Sequence, residues 1–475
     1  MLTKKQIPKR KPRLTLIVSS LIICIPALYN NFPFIYGDTG TYIMSGFGDI
    51  ISPIRPATYG IFMRHVSLHD SFWLVIFFQA ILVAWSVRQF VLSFFKEISD
   101  WFIILIISVL TATTGIGITT GMLMPDFATS ILILNVLIVL HSNWTVSASF
   151  LLVCLGLWFS VALHHSHFYI LILLVLLLVV SKLVLRLFLN ELPYRRVFLV
   201  VGIAFLGFLT IPTVHYYMKG EFTSNSASNV FLMGRFNQMG LLQPFLEEHC
   251  EEKQYAICKY KDDLPRDFLW NKKSPLNLEG GWSINNPLYK QTVHDFFSHP
   301  FYLKKFCIKT IETIGQQLVC FNTEAQGPLV HNTWQHNNFK IHMPDTAPEL
   351  EKSLQSLNRW ESSRINIMQK TIVFTSALML IYLLCYQQHF LIPSKYKTLA
   401  FSLVAALFFN AAFCGSISMV AHRFQSRIIW ILPLFVACLC YWLWINENRN
   451  ENKKFPSISS KNKRIKVPIM SIHQD

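Results

Sequence analysis

Charged side chains are scarce in this sequence. Asp, Glu, Lys and Arg make up 14% of its 475 residues, against roughly 25% in soluble domains. With 52% of the residues hydrophobic, that shortage excludes an ordinary water-soluble chain. Acidic residues are the rarer sign, 26 against 42 Lys and Arg, for a net charge of +16. The excess sits at the ends: Lys4, Lys5, Lys9, Arg10, Lys11 and Arg13 open the chain, and seven more basic residues follow Ile445. End-loaded charge on an apolar chain is a topology signal and an attraction to anionic lipid. It argues against nucleic acid as a partner. A small-x-small cleavage site is lacking after LTLIVSSLIICIPALYNNF, so this stretch reads as an uncleaved first helix, not a signal peptide. Internal repeats are also lacking.

What is present is a series of apolar runs. A membrane helix needs about 20 mostly apolar residues. Candidates lie at 14–32, 71–93, 101–121, 127–141, 146–163, 168–188, 197–217, 371–389, 398–419 and 425–445. The pair at 127–141 and 146–163 is short, and a re-entrant hairpin is its alternative. The reading is an all-α polytopic membrane protein with about ten spans, seven within 14–217 and three within 371–445. The basic segments 1–13 and 446–475 flank it, the latter rich in Asn, Lys and Ser and expected to be disordered. With the N-terminus inside, the inner loops and tails hold 20 Lys and Arg and the short outer loops hold three. The positive-inside rule therefore puts both termini in the cytoplasm.

That topology gathers the unusual polar residues on the outer face. The loop 33–70 carries Asp38, Arg55 and Arg64. Asp126 marks the next outer turn, His164, His165 and His167 the one after, and His422, Arg423 and Arg427 the last. Ionisable groups at membrane depth are costly and point to a site. A cavity for a lipid-linked, anionic, polar substrate fits this set. Plainer roles compete. Asp38 lies in GDTG, an ordinary turn signal, and Asp126 follows Pro125 where a helix cap belongs. HHSH lacks the i,i+4 spacing of paired metal ligands, so polar contacts are the expectation there and no metal is assigned. Arg423 and Arg427 share one helical face and suit a phosphate clamp or a snorkelling anchor.

Residues 218–370 form one hydrophilic segment, long enough for a small extracytoplasmic domain. Cys250 and Cys258 are expected to be bridged there, since such a compartment permits disulfides. Cys307 and Cys320 stand in one predicted helix, about 20 Å apart along its axis, too far to join. That helix starts at Pro300 and mixes Phe301, Phe306, Ile308, Ile311 and Ile314 with Lys304, Lys305 and Lys309. It reads as basic and amphipathic, on the membrane surface or under the loop domain. A second helix, ELEKSLQSLNRWESSRINIMQK, is expected to lead into the eighth span.

YGDTGTYI soon after the first span, RPATYGIF before FFQAILVAW, and MPDFATSILILN at the next outer turn resemble the GT-C superfamily of polytopic glycosyltransferases. The likeness covers roughly 14–215. It implies a polyprenyl-phosphate-linked sugar as donor and an acceptor that is a glycan, lipid or protein. It also implies catalytic carboxylates at Asp38 and Asp126, with Asp38 as the base and Asp126 positioning the acceptor or assisting Asp38. Arg55, Arg64, His164, His165, His167, His422, Arg423 and Arg427 are then candidate substrate contacts. An Asp-x-Asp or Glu-Glu pair after the first span is missing, so cofactor use, a divalent metal included, stays open. The run FLMGRFNQMGLLQPFLEEHC, then YAICKYKDDLPRDFLWNKKSPLNLEGGW, with HRFQSRIIWILPL, resembles a group of bacterial inner-membrane proteins. That likeness implies an inner-membrane location with the large loop in the periplasm. The alternatives are a transporter or flippase, and a non-catalytic envelope assembly factor.

Overall fold

The computed structural model describes residues 10–48, 50–143, 145–184, 192–224, 226–324, 333–386 and 392–454, the last seven as backbone only. Asp49 and the terminal stretches 1–9 and 455–475 lie outside the described residues. Among the described residues the regular structure is helical, with one isolated parallel bridge between Phe34 and Met122.

Every apolar run forms helix. The first is α1 (Pro12–Tyr29), followed in the first long loop by α2 (Thr39–Phe47) and α3 (Ala57–Ser67). Next come α4 (Phe72–Phe94), α5 (Asp100–Thr113), the short α6 (Ile116–Thr120), α7 (Phe127–His141), α8 (Ala148–Leu163), α9 (His165–Val184) and α10 (Tyr194–Lys219). Serines start three of them: Ser71, Ser99 and Ser147 accept from backbone N–H groups of α4, α5 and α8, satisfying donors that a helix start leaves orphaned.

The large loop folds into α11 (Ser228–Gln238), α12 (Leu242–Lys253), α13 (Pro275–Leu278), α14 (Trp282–Leu288), α15 (Lys290–Ser298) and α16 (Pro300–Val319). It continues through α17 (Trp334–His342) and α18 (Ala347–Glu351). The chain then returns to apolar helices with α19 (Ser363–Cys385), α20 (Ser394–Ile417), α21 (His422–Ile429) and α22 (Ile431–Lys454).

Among the described residues, seven stretches are long and apolar enough to cross a membrane: α1, α4, α9, α10, α19, α20, and α21 with the first part of α22. The chain is a multi-pass membrane protein. The other three, α5, α7 and α8, have 14, 15 and 16 residues, or roughly 21–24 Å at 1.5 Å per residue. The expected third span, 101–121, breaks at Thr114–Gly115, where the N–H of Gly115 donates to Oε1 of Gln369 at 2.6 Å. The expected helix ahead of α19 is also interrupted, ending at Glu351 and resuming at Ser363.

α7 is the centre of the apolar bundle. All residues from Phe127 to Leu140 are buried, with α4 and α8 packed on it. α9 packs against α20, and α1 against α4 and α5. At the end away from the large loop, Asp100 takes Arg10 and Arg88 at 3.2 and 3.5 Å.

The loop domain has its own core of Phe236, Phe245, Leu246, Phe268, Phe296 and Tyr302. Cys250 and Cys258 are joined by a disulfide, as the spacing predicts. Cys307 and Cys320 are free thiols. The domain docks on the C-terminal end of α20. Arg235 donates to the carbonyls of Gly415 and Ser416, and Gln317 exchanges two 2.9 Å hydrogen bonds with the backbone of Ala421. α16 thus packs across α20, while Ile308, Ile311 and Val319 stay exposed.

Candidate functional site

The segment that follows α1 is fastened on two sides. The N–H of Phe34 donates to the carbonyl of Gly121, and Leu123 donates back to Phe34, both at 2.8 Å. From the other side, the amide of Gln355 bonds both backbone groups of Ile35, at 3.0 and 2.7 Å. α2 then lies on α3 at a contact only glycines permit. A Cβ on Gly46 would meet the carbonyl oxygen of Gly60 at 2.1 Å, and one on Gly60 would meet that of Tyr42 at 2.4 Å. The start of α3 is held by His215, which accepts from Ala57 N–H at 3.3 Å, and by Thr58, which donates to Ala162 at 2.6 Å. These constraints fix Asp38, just before α2, against Arg55, just before α3.

Asp38 makes no side-chain cap hydrogen bond to α2. Its Oδ2 instead accepts from Arg55 at 2.9 Å and from Arg423 at 3.0 Å. Burial pushes this carboxyl's pKa up, but the two guanidiniums outweigh burial and hold it down at about 2. The Arg423 guanidinium also lies 4.3 Å over the ring of Tyr36. Nε of Arg55 and Nη1 of Arg423 are buried donors with no hydrogen-bond partner among the described residues. Unmet buried donors on paired guanidiniums are costly and suit an anion presenting several oxygens.

Asp38, Arg55 and Arg423 wall a cavity of about 800 Å³ between the apolar bundle and the loop domain. Four aromatic side chains also line it: Phe231, Trp270, Trp282 and Trp334. A second cavity, about 360 Å³, shares Ile54, Arg55, Phe231, Ser418, Arg423 and Phe424 with the first. It runs between α9 and α20, where Tyr169 and Phe413 line it and Ile417 remains 43% exposed. The two arginines therefore stand where the two chambers meet.

The other residues singled out in the sequence divide. His164 and His165 line the second cavity. His167 is buried below it, bonded to Thr129 at 2.7 Å and to the carbonyl of Ser160 at 2.6 Å. Asp126 lines neither cavity. It pairs with Arg427 at 3.1 Å inside the bundle, and Arg427 also donates to Asn410 at 2.8 Å. Arg423 and Arg427 are both enclosed in the protein rather than reaching to its surface. His422 turns its Nδ1 to the backbone N–H of Asn322 at 3.0 Å. Arg64 bonds His69 and the carbonyl of Gly46, outside the two cavities.

Sequence reasoning missed Tyr36 and the whole aromatic lining. Its only signal was Trp270, Trp282 and Trp334 in an otherwise hydrophilic segment. No family model matches this chain, and no curated protein or solved structure matches it either.

Proposed function

We propose that this chain is a membrane glycosyltransferase that moves a sugar from a polyprenyl-phosphate donor to an envelope acceptor at the outer face of a bacterial inner membrane. In this reading ten helices cross the bilayer, both termini are cytoplasmic and the loop domain is periplasmic. The convergence of Asp38, Arg55 and Arg423 at the junction of the two cavities carries the proposal. The chamber beside α9 and α20 suits a prenyl chain entering from lipid, since its walls are largely apolar and Tyr169 and Ile417 are exposed on the bundle surface. The chamber under the loop domain suits sugars, which stack on aromatic faces, and Trp270, Trp282 and Trp334 supply such faces.

The chemistry follows from the charges. An acceptor hydroxyl oxygen bonds to the anomeric carbon while the bond from that carbon to the phosphate oxygen breaks. The phosphate departs with its electron pair, and the hydroxyl proton passes to Asp38. Arg55 and Arg423 stabilise the negative charge that grows on the leaving group. A carboxylate held by two guanidiniums is a poor base. Once the donor phosphate draws on the same guanidiniums, their hold on Asp38 weakens and its basicity rises. Donor binding thus readies the base.

Binding of a polyprenyl phosphate to the detergent-purified chain, followed by quenching of tryptophan fluorescence, tests the phosphate seat. Saturable binding to wild type, weakened at least ~tenfold in Arg55→Gln, is expected, since a charge-assisted contact is worth roughly 1.5–3 kcal/mol. Equal binding by both proteins contradicts the assignment.

A further inference from the structure

A second set of chemical groups lies on the loop domain and plays no part in the proposed transfer. Glu248 and His249, on α12, meet His299, which sits just before α16. One donor atom from each lies within 4.8 Å of the other two. In a tetrahedral zinc site, bonds of about 2.0–2.1 Å place ligand atoms roughly 3.3 Å apart, so a small inward movement closes the set.

Two of the three side chains are oriented by their neighbours. Nδ1 of His249 stands 2.9 Å from the carbonyl oxygen of Phe245. A carbonyl only accepts, so Nδ1 carries the proton and Nε2 presents its lone pair. The ring is steadied by stacking on Phe245, centroids 4.4 Å apart. Tyr302 donates to Oε2 of Glu248 at 2.8 Å, leaving Oε1 toward His299, whose Nε2 is 3.9 Å away and beyond hydrogen-bond reach. Nδ1 of His299 is buried and has no hydrogen-bond partner among the described residues. A histidine oriented through Nδ1–H to a backbone carbonyl and a carboxylate oriented by a tyrosine are the outer-shell arrangement that metal ligands require.

We propose that Glu248, His249 and His299 bind one divalent transition-metal ion of the zinc class, with a water completing the coordination. Two imidazoles and one carboxylate suit zinc better than calcium or magnesium, which prefer all-oxygen sites. The ion ties the last turns of α12 to the start of α16, beside the Cys250–Cys258 disulfide. This site is independent of the transfer chemistry at Asp38.

The test is isothermal titration of Zn²⁺ into the full-length chain, purified in detergent with its disulfide intact and its affinity tag removed. Wild type is expected to bind one ion per chain with micromolar or tighter affinity. His249→Ala, His299→Ala and Glu248→Gln are each expected to weaken binding at least ~tenfold, as loss of one of three ligands demands. His294→Ala, an exposed histidine nearby, and Cys307→Ser, an exposed thiol, keep wild-type affinity. Unfolding temperature without metal reports whether each variant is folded, and Glu248→Gln, a change at a half-exposed side chain, decides if a histidine variant is not. Wild type that binds no Zn²⁺ at ~100 µM, or a folded His299→Ala with wild-type affinity, overturns the proposal.

Discussion

Oδ2 of Asp38 lies 3.0 Å from Nη2 of Arg423, a residue 385 positions further along the chain. The contact joins the first long loop to the last apolar hairpin and completes the two-arginine grip that Arg55 begins. Arg423→Gln is expected to weaken polyprenyl-phosphate binding by ~10- to 100-fold, in line with roughly 1.5–3 kcal/mol for a charge-assisted hydrogen bond. Arg64→Gln, outside both cavities, is expected to bind like wild type. The same fluorescence titration checks both.

The Asp38 pairing sets a pH dependence. Because the folded-state pKa is depressed, to about 2, its stabilisation is complete above the unfolded value of about 3.9 and is lost as pH falls from there toward 2. The amount is about 2–3 kcal/mol, from a shift of nearly two pKa units. Unfolding temperatures of wild type and Asp38→Asn, measured in non-ionic detergent at pH 6 and pH 3, are expected to differ less at the lower pH. A constant difference would show that the carboxylate charge does not hold the loop.

Gly46 and Gly60 let α2 and α3 touch backbone to backbone. Gly60→Ala places a methyl group 2.4 Å from the carbonyl of Tyr42. The helices must part, at a cost of ~1–3 kcal/mol, and Asp38 shifts from Arg55. Gly202→Ala is the control, because a Cβ there meets nothing within 4 Å. Thermal unfolding is expected to drop for the first and to hold or rise for the second.

Asp126 and Arg427 form a pair buried in the bundle, with the Asp126 side chain 7% exposed and that of Arg427 2%. Removing one partner strands the other charge, which costs about 3–5 kcal/mol. Asp126→Ala is therefore expected to lower expression and unfolding temperature sharply. The protein that does fold is expected to bind polyprenyl phosphate normally, which separates a supporting role from one at the substrate.

Apolar runs were enough to find the long helices of the bundle, because burial in lipid imposes a length and composition on a span that a single sequence displays. Asp38, Arg55 and Arg423 were legible for a related reason: ionisable residues beside apolar runs stand out. Their partners were not. Asp38 and Asp126 each read equally well as a helix cap, and only the folded chain brings Arg423 to one and Arg427 to the other. The break at Gly115 was hidden because it depends on Gln369, more than 250 residues away. Trp270, Trp282 and Trp334 were missed because nothing local in the sequence shows that their segments fold back over Asp38. Glu248, His249 and His299 come together only when α12 meets α16.

Mass spectrometry of envelope glycolipids and glycoproteins tests the central claim most directly. Three strains are compared: a deletion, the deletion carrying wild type, and the deletion carrying Asp38→Asn at matched protein level. Loss of one sugar in the deletion, restored by wild type and not by Asp38→Asn, is the predicted result, and it names both sugar and acceptor. A glycan profile identical in all three contradicts transfer at this site and turns attention to transport or envelope assembly.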